Sequence, residues 1–159
     1  MKPPTAQPRP RMAVPDPKHP WILEIKNMPR DPTRRGEFVE LCFSMKATLE
    51  GFYVSKPLNP CLPYDFILDN GQRLLRVQVK GTFSKYQHAY HIRTRRGGDG
   101  TYHASELDVL AGFIVPLNVW YVFPAPVFCG KKMMAVYPHA RRPSRSRNEP
   151  YREAWHLLR

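Results

Sequence analysis

The chain has 159 residues, room for one domain rather than two, and a domain of that size buries roughly 70% of the surface its unfolded form exposes. A 42% hydrophobic and 12% aromatic content excludes a wholly disordered protein, and no run approaches the ~20 consecutive apolar residues of a membrane span. Twenty-five Lys and Arg against thirteen Asp and Glu leave a formal charge of +12. Such an excess concentrates polyanions. Nucleic acid is the first candidate, because each neutralised phosphate releases condensed counterions. An anionic membrane surface fits less well, since no basic amphipathic helix carries an aromatic face. Met1-Lys2-Pro3-Pro4 opens without the apolar run of a secretory signal, so a cytoplasmic location is expected. Cys42, Cys61 and Cys129 are odd in number and lack close Cys/His spacing, which fits a reducing compartment and no structural zinc.

Residues 1–20 contain seven prolines and read as a flexible basic arm, leaving residues 21–159 as the single folded domain. Trp21-Ile22-Leu23-Glu24-Ile25 suggests a short packed segment, interrupted by Pro29 and Pro32. From Gly36 to Glu50 the pattern predicts a helix, with Phe38, Leu41, Cys42, Met45 and Leu49 as its apolar stripe and Gly51 as its stop. The period then changes to two. Phe52–Ser55 and Tyr64–Leu68 read as strands separated by a proline-rich loop, and Asp69-Asn70-Gly71-Gln72 as a tight hairpin turn. Arg73–Lys80 returns as a third strand, Tyr90–Arg93 adds another, and Arg95–Gly100 forms a basic glycine loop. Ser105–Asp108 has the chemistry of a helix start. Phe113–Phe123 is β-rich, and Arg152–Leu158 a terminal helix. The sum is an α/β or α+β domain.

The hairpin gathers chemistry. A two-residue turn at Asn70-Gly71 would set Asp65 opposite Arg76, and alternation then projects Asp65, Arg76, Gln78 and Lys80 from one face, with Leu75, Val77 and Val79 on the other. A four-residue turn keeps that parity; a three-residue turn breaks it. An acid, an amide and an ammonium converging in this way suit phosphodiester hydrolysis. The acid can hold a hard cation such as Mg²⁺, the cation activates water, and the ammonium stabilises the extra charge of the transition state. The plainer alternative is an Asp65–Arg76 ion pair across the hairpin.

Pro63-Tyr64-Asp65, followed beyond the hairpin by Gln78-Val79-Lys80, resembles the PD-(D/E)XK nuclease signature with glutamine in the second acidic position, as in its group I intron-associated branch. Gly36-Glu37-Phe38-Val39-Glu40 is similar to that branch's Gly-x-x-x-Glu helix start. Val54-Ser55-Lys56-Pro57, Val119–Pro124 and Tyr151–Leu158 also resemble its segments. The resemblance implies a restriction-endonuclease-like core, a mixed β-sheet with a central hairpin flanked by helices. It also implies a Mg²⁺-dependent DNA endonuclease of the homing type, with Mn²⁺ as a substitute, acting through metal-activated water. It makes Asp65 the principal metal ligand, Lys80 the catalytic lysine, Gln78 the second motif residue and Glu40 the helix-borne carboxylate. Glu40 shares a flank with Phe43, Ser44 and Ala47, so the helix must meet the sheet on that side; Glu37 competes, and the preference for Glu40 rests on the resemblance. With Gln78 replacing an acid, weaker metal binding is expected. Rival readings are a catalytically inactive DNA-binding module of the same fold and a Holliday-junction-resolvase-like nuclease.

The basic runs complete the picture. Arg76, Arg93, Arg95, Arg96, Lys131, Lys132, Arg141 and Arg142 could track the phosphates of double-stranded DNA. Cutting both strands needs two sites, so a homo-oligomer, dimer or tetramer, is expected.

Overall fold

The computed structural model describes residues 28, 30–59, 61–96, 98, 100–139 and 147–159; the proline-rich arm and Trp21–Ile25 lie outside them. Helix α1 spans Pro32–Leu49, beginning ahead of Gly36. Asp31 caps it, its side chain accepting the Thr33 N–H at 3.0 Å. Pro32 sits in the first turn, where a missing N–H costs nothing. The proline that reads as an interruption is thus part of the start signal.

The face that α1 buries also differs from the expected stripe. Val39, Phe43 and Ala47 are buried, whereas Leu41 and Leu49 are 71% and 72% exposed and Met45 is 41% exposed. Phe43 decides the orientation: its ring meets Phe66 at 5.1 Å, Trp120 at 5.7 Å and Trp155 at 6.0 Å, contacts worth about 0.5–1.5 kcal/mol each beyond area burial. Phe38 and Cys42 pack along the edge of this cluster.

Among the described residues nine strands follow. They are β1 (Tyr53–Ser55), β2 (Phe66–Asp69), β3 (Leu74–Thr82), β4 (Tyr90–Arg93), β5 (Arg95–Arg96), β6 (Gly100–Thr101), β7 (Val109–Ile114), β8 (Val119–Pro124) and β9 (Met133–Val136), with a short helix α2 (Ala125–Phe128) after β8. The main sheet runs β1-β2-β3-β7-β8. Only β3 and β7 pair in parallel; the other neighbours are antiparallel. Leu75, Val77 and Val79 face α1, as alternation requires, together with Ala111, Phe113 and Val122. Leu110, Ile114, Tyr121 and Phe123 face the opposite way, onto Ile92, Met134 and Val136 of the β4–β9 ribbon. The crossover from β3 to β7 therefore carries strands rather than a long helix. Two glycines let the layers approach: a Cβ at Gly81 would strike Val39 of α1, and one at Gly112 would strike Ile92 of β4.

The β2–β3 connection spans four residues, not two. Asn70 Oδ1 accepts the N–H groups of Gln72 and Arg73 at 3.0 and 2.9 Å, and Asp69 Oδ1 accepts that of Gly71 at 2.7 Å. Gly71 holds a φ of +82°. Asn70 also donates to the Leu158 carbonyl at 2.7 Å, tying the C-terminus to the hairpin. The pairing becomes Ile67 with Arg76 and Phe66 with Val77, which moves the register by two and preserves the face of every side chain.

Two expected helices change character. Ser105–Asp108 forms a turn, with Leu107 fully buried and the Asp108 carboxylate occupied elsewhere. The terminal segment forms a short 3₁₀ turn, Trp155–Leu158, whose buried Trp155 joins the Phe43 cluster.

Candidate active site

Asp65 immediately precedes β2. Its N–H bonds the Val77 carbonyl at 2.9 Å, and the register sets it across from Gln78. Its Oδ2 accepts the Val79 N–H at 2.8 Å and a short hydrogen bond from Gln78 Nε2. Gln78 is only 6% exposed, so its amide needs internal partners. The other end of that amide, Oε1, accepts from the Tyr102 hydroxyl at 3.1 Å. Tyr102 is a participant that sequence reasoning missed, 24 residues from Gln78 with no periodic signal to link them.

Burial pushes the Asp65 carboxyl above the usual carboxylate range. The Val79 N–H and the Lys80 ammonium oppose that rise, the Glu40 carboxylate reinforces it, and the Lys56 ammonium opposes it. Charged side chains from α1, β3 and the loop after β1 thus act on the Asp65 carboxyl, itself on the loop before β2. Oδ1 of Asp65 takes no hydrogen bond from the described residues and is not buried.

Lys80 follows on the same face as Gln78 and lines a pocket of about 520 Å³ with Thr82, Ser84, Tyr86, His91 and Arg93. On the other side, Glu40 projects from the buried flank of α1 and borders a groove of about 450 Å³ with Glu37, Ser44, Val54, Lys56 and Phe66. Glu40 Oε2 accepts from Lys56 Nζ at 2.6 Å, and that ammonium also lies 5.8 Å from the Phe66 ring centroid. Lys56 is the second residue that sequence reasoning passed over, although it stands inside the Val54–Pro57 stretch.

Arg76 pairs not with Asp65 but with Asp108. Its Nε and a terminal nitrogen grip both Asp108 oxygens at 2.9 and 3.0 Å, its N–H adds a bond to Oδ2 at 2.8 Å, and its guanidinium also donates to the Ser105 carbonyl. This bidentate grip holds the Asp108 carboxyl below the usual range. Asp108 is therefore a strut between β3 and β7, not a helix cap.

Among the expected basic contacts, Arg93, Arg95, Lys131 and Lys132 are exposed. They gather at one end of the β4–β9 ribbon, where the Thr94 N–H bonds the Lys132 carbonyl at 3.1 Å. Arg96 lies on β5. Arg141 and Arg142 fall outside the described residues.

As a donor set for a cation, the site offers the carboxylates of Asp65 and Glu40; the amide oxygen of Gln78, turned here toward Tyr102, joins them only on rotation of that amide. All are hard oxygens suited to Mg²⁺ or Mn²⁺ rather than to zinc. Among the described residues no three His, Cys, Asp or Glu side chains cluster.

A family model of the PD-(D/E)XK endonucleases matches residues 30–158. Among solved structures, the bacterial homing endonuclease I-Ssp6803I aligns with a TM-score of 0.68 at 30% sequence identity, over 80% of this chain and 91% of that one. No curated protein matches the sequence. With the expected mixed sheet present and the match running from α1 to the terminal 3₁₀ turn, the chain belongs to the PD-(D/E)XK endonuclease family.

Proposed function

We propose that this endonuclease is a Mg²⁺-dependent hydrolase of DNA phosphodiesters, working also with Mn²⁺, in which Asp65, Glu40 and Gln78 hold the cation and Lys80 is the catalytic lysine. The supporting observation is the state of Asp65: a carboxyl with one oxygen held by Val79 and Gln78, the other open, and the Lys80 charge acting on it. When bound, Mg²⁺ supplies Lewis acidity toward water and toward the phosphate oxygens. The chain's own residues do the positioning. Val79 and Gln78 fix the Asp65 carboxylate. Lys80, lining the 520 Å³ pocket, orients the attacking water and offsets the charge that develops on phosphorus. Tyr102 keeps Gln78 in place, and because a hydroxyl accepts as well as donates, it satisfies the amide in either orientation.

Double-stranded DNA reaches this pocket along the basic end of the β4–β9 ribbon, through Arg93, Arg95, Lys131 and Lys132, and Arg96, Arg141 and Arg142 are further candidate phosphate contacts. The likeness to a bacterial homing endonuclease supports a homing-type role. A cytoplasmic, nucleoid-associated homo-oligomer, dimer or tetramer, supplies one site per strand. No helix among the described residues is long and apolar enough to cross a membrane.

Plasmid cleavage with Mg²⁺ or Mn²⁺ tests the reading. Wild type should nick or linearise DNA while Asp65→Ala and Lys80→Ala should not; equal activity in all three removes the site. The rival reading, a DNA-binding module without catalysis, draws on Gln78, which removes a negative charge from the donor set. Wild-type binding without cleavage under both metals would establish that rival. Preference for branched over linear duplex would mark a junction resolvase.

A further inference from the structure

Counting charge around Asp65 exposes an imbalance with the task. Asp65 and Glu40 contribute two negative charges, Lys56 and Lys80 two positive ones, and all act on the Asp65 carboxyl. Glu37 lies along the same groove. A site that must hold a divalent cation is therefore close to neutral before its ligand arrives, and one of its two carboxylates already carries an ammonium at 2.6 Å. The pair is asymmetric in exposure, with the Lys56 side chain 62% exposed and that of Glu40 25% exposed. Lys56 sits just past the end of β1, on a loop, whereas Glu40 is fixed on α1. A flexible four-carbon stem on a loop can move its ammonium over several ångströms; a carboxylate on a packed helix cannot follow.

Resting on the metal-site reading above, we propose that Lys56 is a resident counter-cation: it occupies Glu40 in the free protein and moves to the DNA phosphate when substrate enters. Two consequences follow. Without DNA, a divalent ion must compete with an ammonium for Glu40, so the free protein binds metal weakly. With DNA, the phosphate draws Lys56 away and adds its own negative charge, so Glu40 is released when it is needed. Lys56 thereby couples metal occupancy to substrate, which limits cleavage chemistry on an unoccupied site.

The test is divalent-ion binding by the full chain without DNA, read by the electron paramagnetic resonance signal of free Mn²⁺. Lys56→Met keeps the stem and removes the charge; it should bind Mn²⁺ about tenfold more tightly than wild type. Lys56→Arg should stay within about twofold of wild type, since it restores the cation. In Ca²⁺, Lys56→Met should also bind duplex DNA more weakly, with a salt slope shallower by about one phosphate contact. Unchanged or weaker Mn²⁺ binding by a folded Lys56→Met protein overturns the proposal, because a surface ion pair of purely structural value predicts that result. Asp65→Ala separates the two layers: if it loses Mn²⁺ while Lys56→Met matches wild type, the metal site stands and the counter-cation fails. If Asp65→Ala binds Mn²⁺ as wild type does, both fall together.

Discussion

Strand β3 touches two aspartates, and they are treated in opposite ways. At its first half, Asp108 receives a bidentate guanidinium and the backbone N–H of Arg76. Further along, Asp65 receives one backbone N–H and an amide, with no arginine, and keeps one oxygen open. The first carboxyl is held below its ordinary range by the Arg76 hydrogen bonds and the second is raised by burial. The same strand thus carries one satisfied charge and one left partly unsatisfied. A satisfied charge braces a fold; an unsatisfied one retains the free energy to capture a cation. The contrast makes separable predictions.

The largest effect should follow from the unsatisfied member. Asp65→Asn is expected to lower Mg²⁺-dependent cleavage by about three orders of magnitude while leaving the thermal midpoint equal to or above that of wild type, since it removes a partly buried charge. Plasmid cleavage and calorimetry on the same preparation decide it. Asp108→Ala should behave in reverse. It strips Arg76 of its partner and should cost about 2 kcal/mol of stability, with cleavage retained at temperatures where the protein is folded. A stable Asp108→Ala protein that had lost cleavage would break the division between strut and site.

Gln78 tests the boundary between the two. Gln78→Glu places a third acid beside Asp65, and the half-saturating Mg²⁺ concentration for cleavage should fall by about tenfold. Tyr102 remains able to donate to the new carboxylate, so the fold should tolerate the change. A raised Mg²⁺ requirement would mean that Gln78 serves as a hydrogen-bond donor to Asp65 and that its oxygen takes no part in holding the ion.

How much of this contrast was legible in the sequence depends on the range of the interaction. The common face of Asp65, Gln78 and Lys80 followed from strand alternation alone, and it survived an incorrect turn because two-residue and four-residue connections share parity. Glu40 was preferred to Glu37 through the family resemblance, not through periodicity; the flank it shares with Phe43 and Ala47 is the one that α1 buries. The start of α1 was misplaced because Pro32 looks like a breaker until Asp31 is seen as a cap. Its buried face was misjudged because leucines and a methionine formed the more conspicuous stripe, while the contact used Val39, Phe43 and Ala47, which let Gly81 of β3 approach closely. Arg76–Asp108 spans 32 residues and Lys56–Glu40 spans 16. Neither separation corresponds to a helical or strand period, so no pattern along the chain announces them.

The smallest expected effect concerns acid, and it tests the comparison without any substrate. For Asp65 the folded carboxyl titrates above its unfolded value, so the folded state holds the extra proton in that interval. Stability is then lost as pH rises through the folded pKa, and the penalty persists above it. For Asp108 the folded value is depressed, so its contribution is fully present above the unfolded value near 3.8 and fades as pH falls toward the folded one. Urea denaturation across weakly acidic pH should therefore show two differently shaped differences from wild type. The advantage of Asp65→Asn should grow with rising pH and then level off. The deficit of Asp108→Asn should be flat at neutral pH and shrink in stronger acid. Parallel curves for the two variants would mean that β3 treats its aspartates alike, and the distinction between brace and binding site would lose its electrostatic basis.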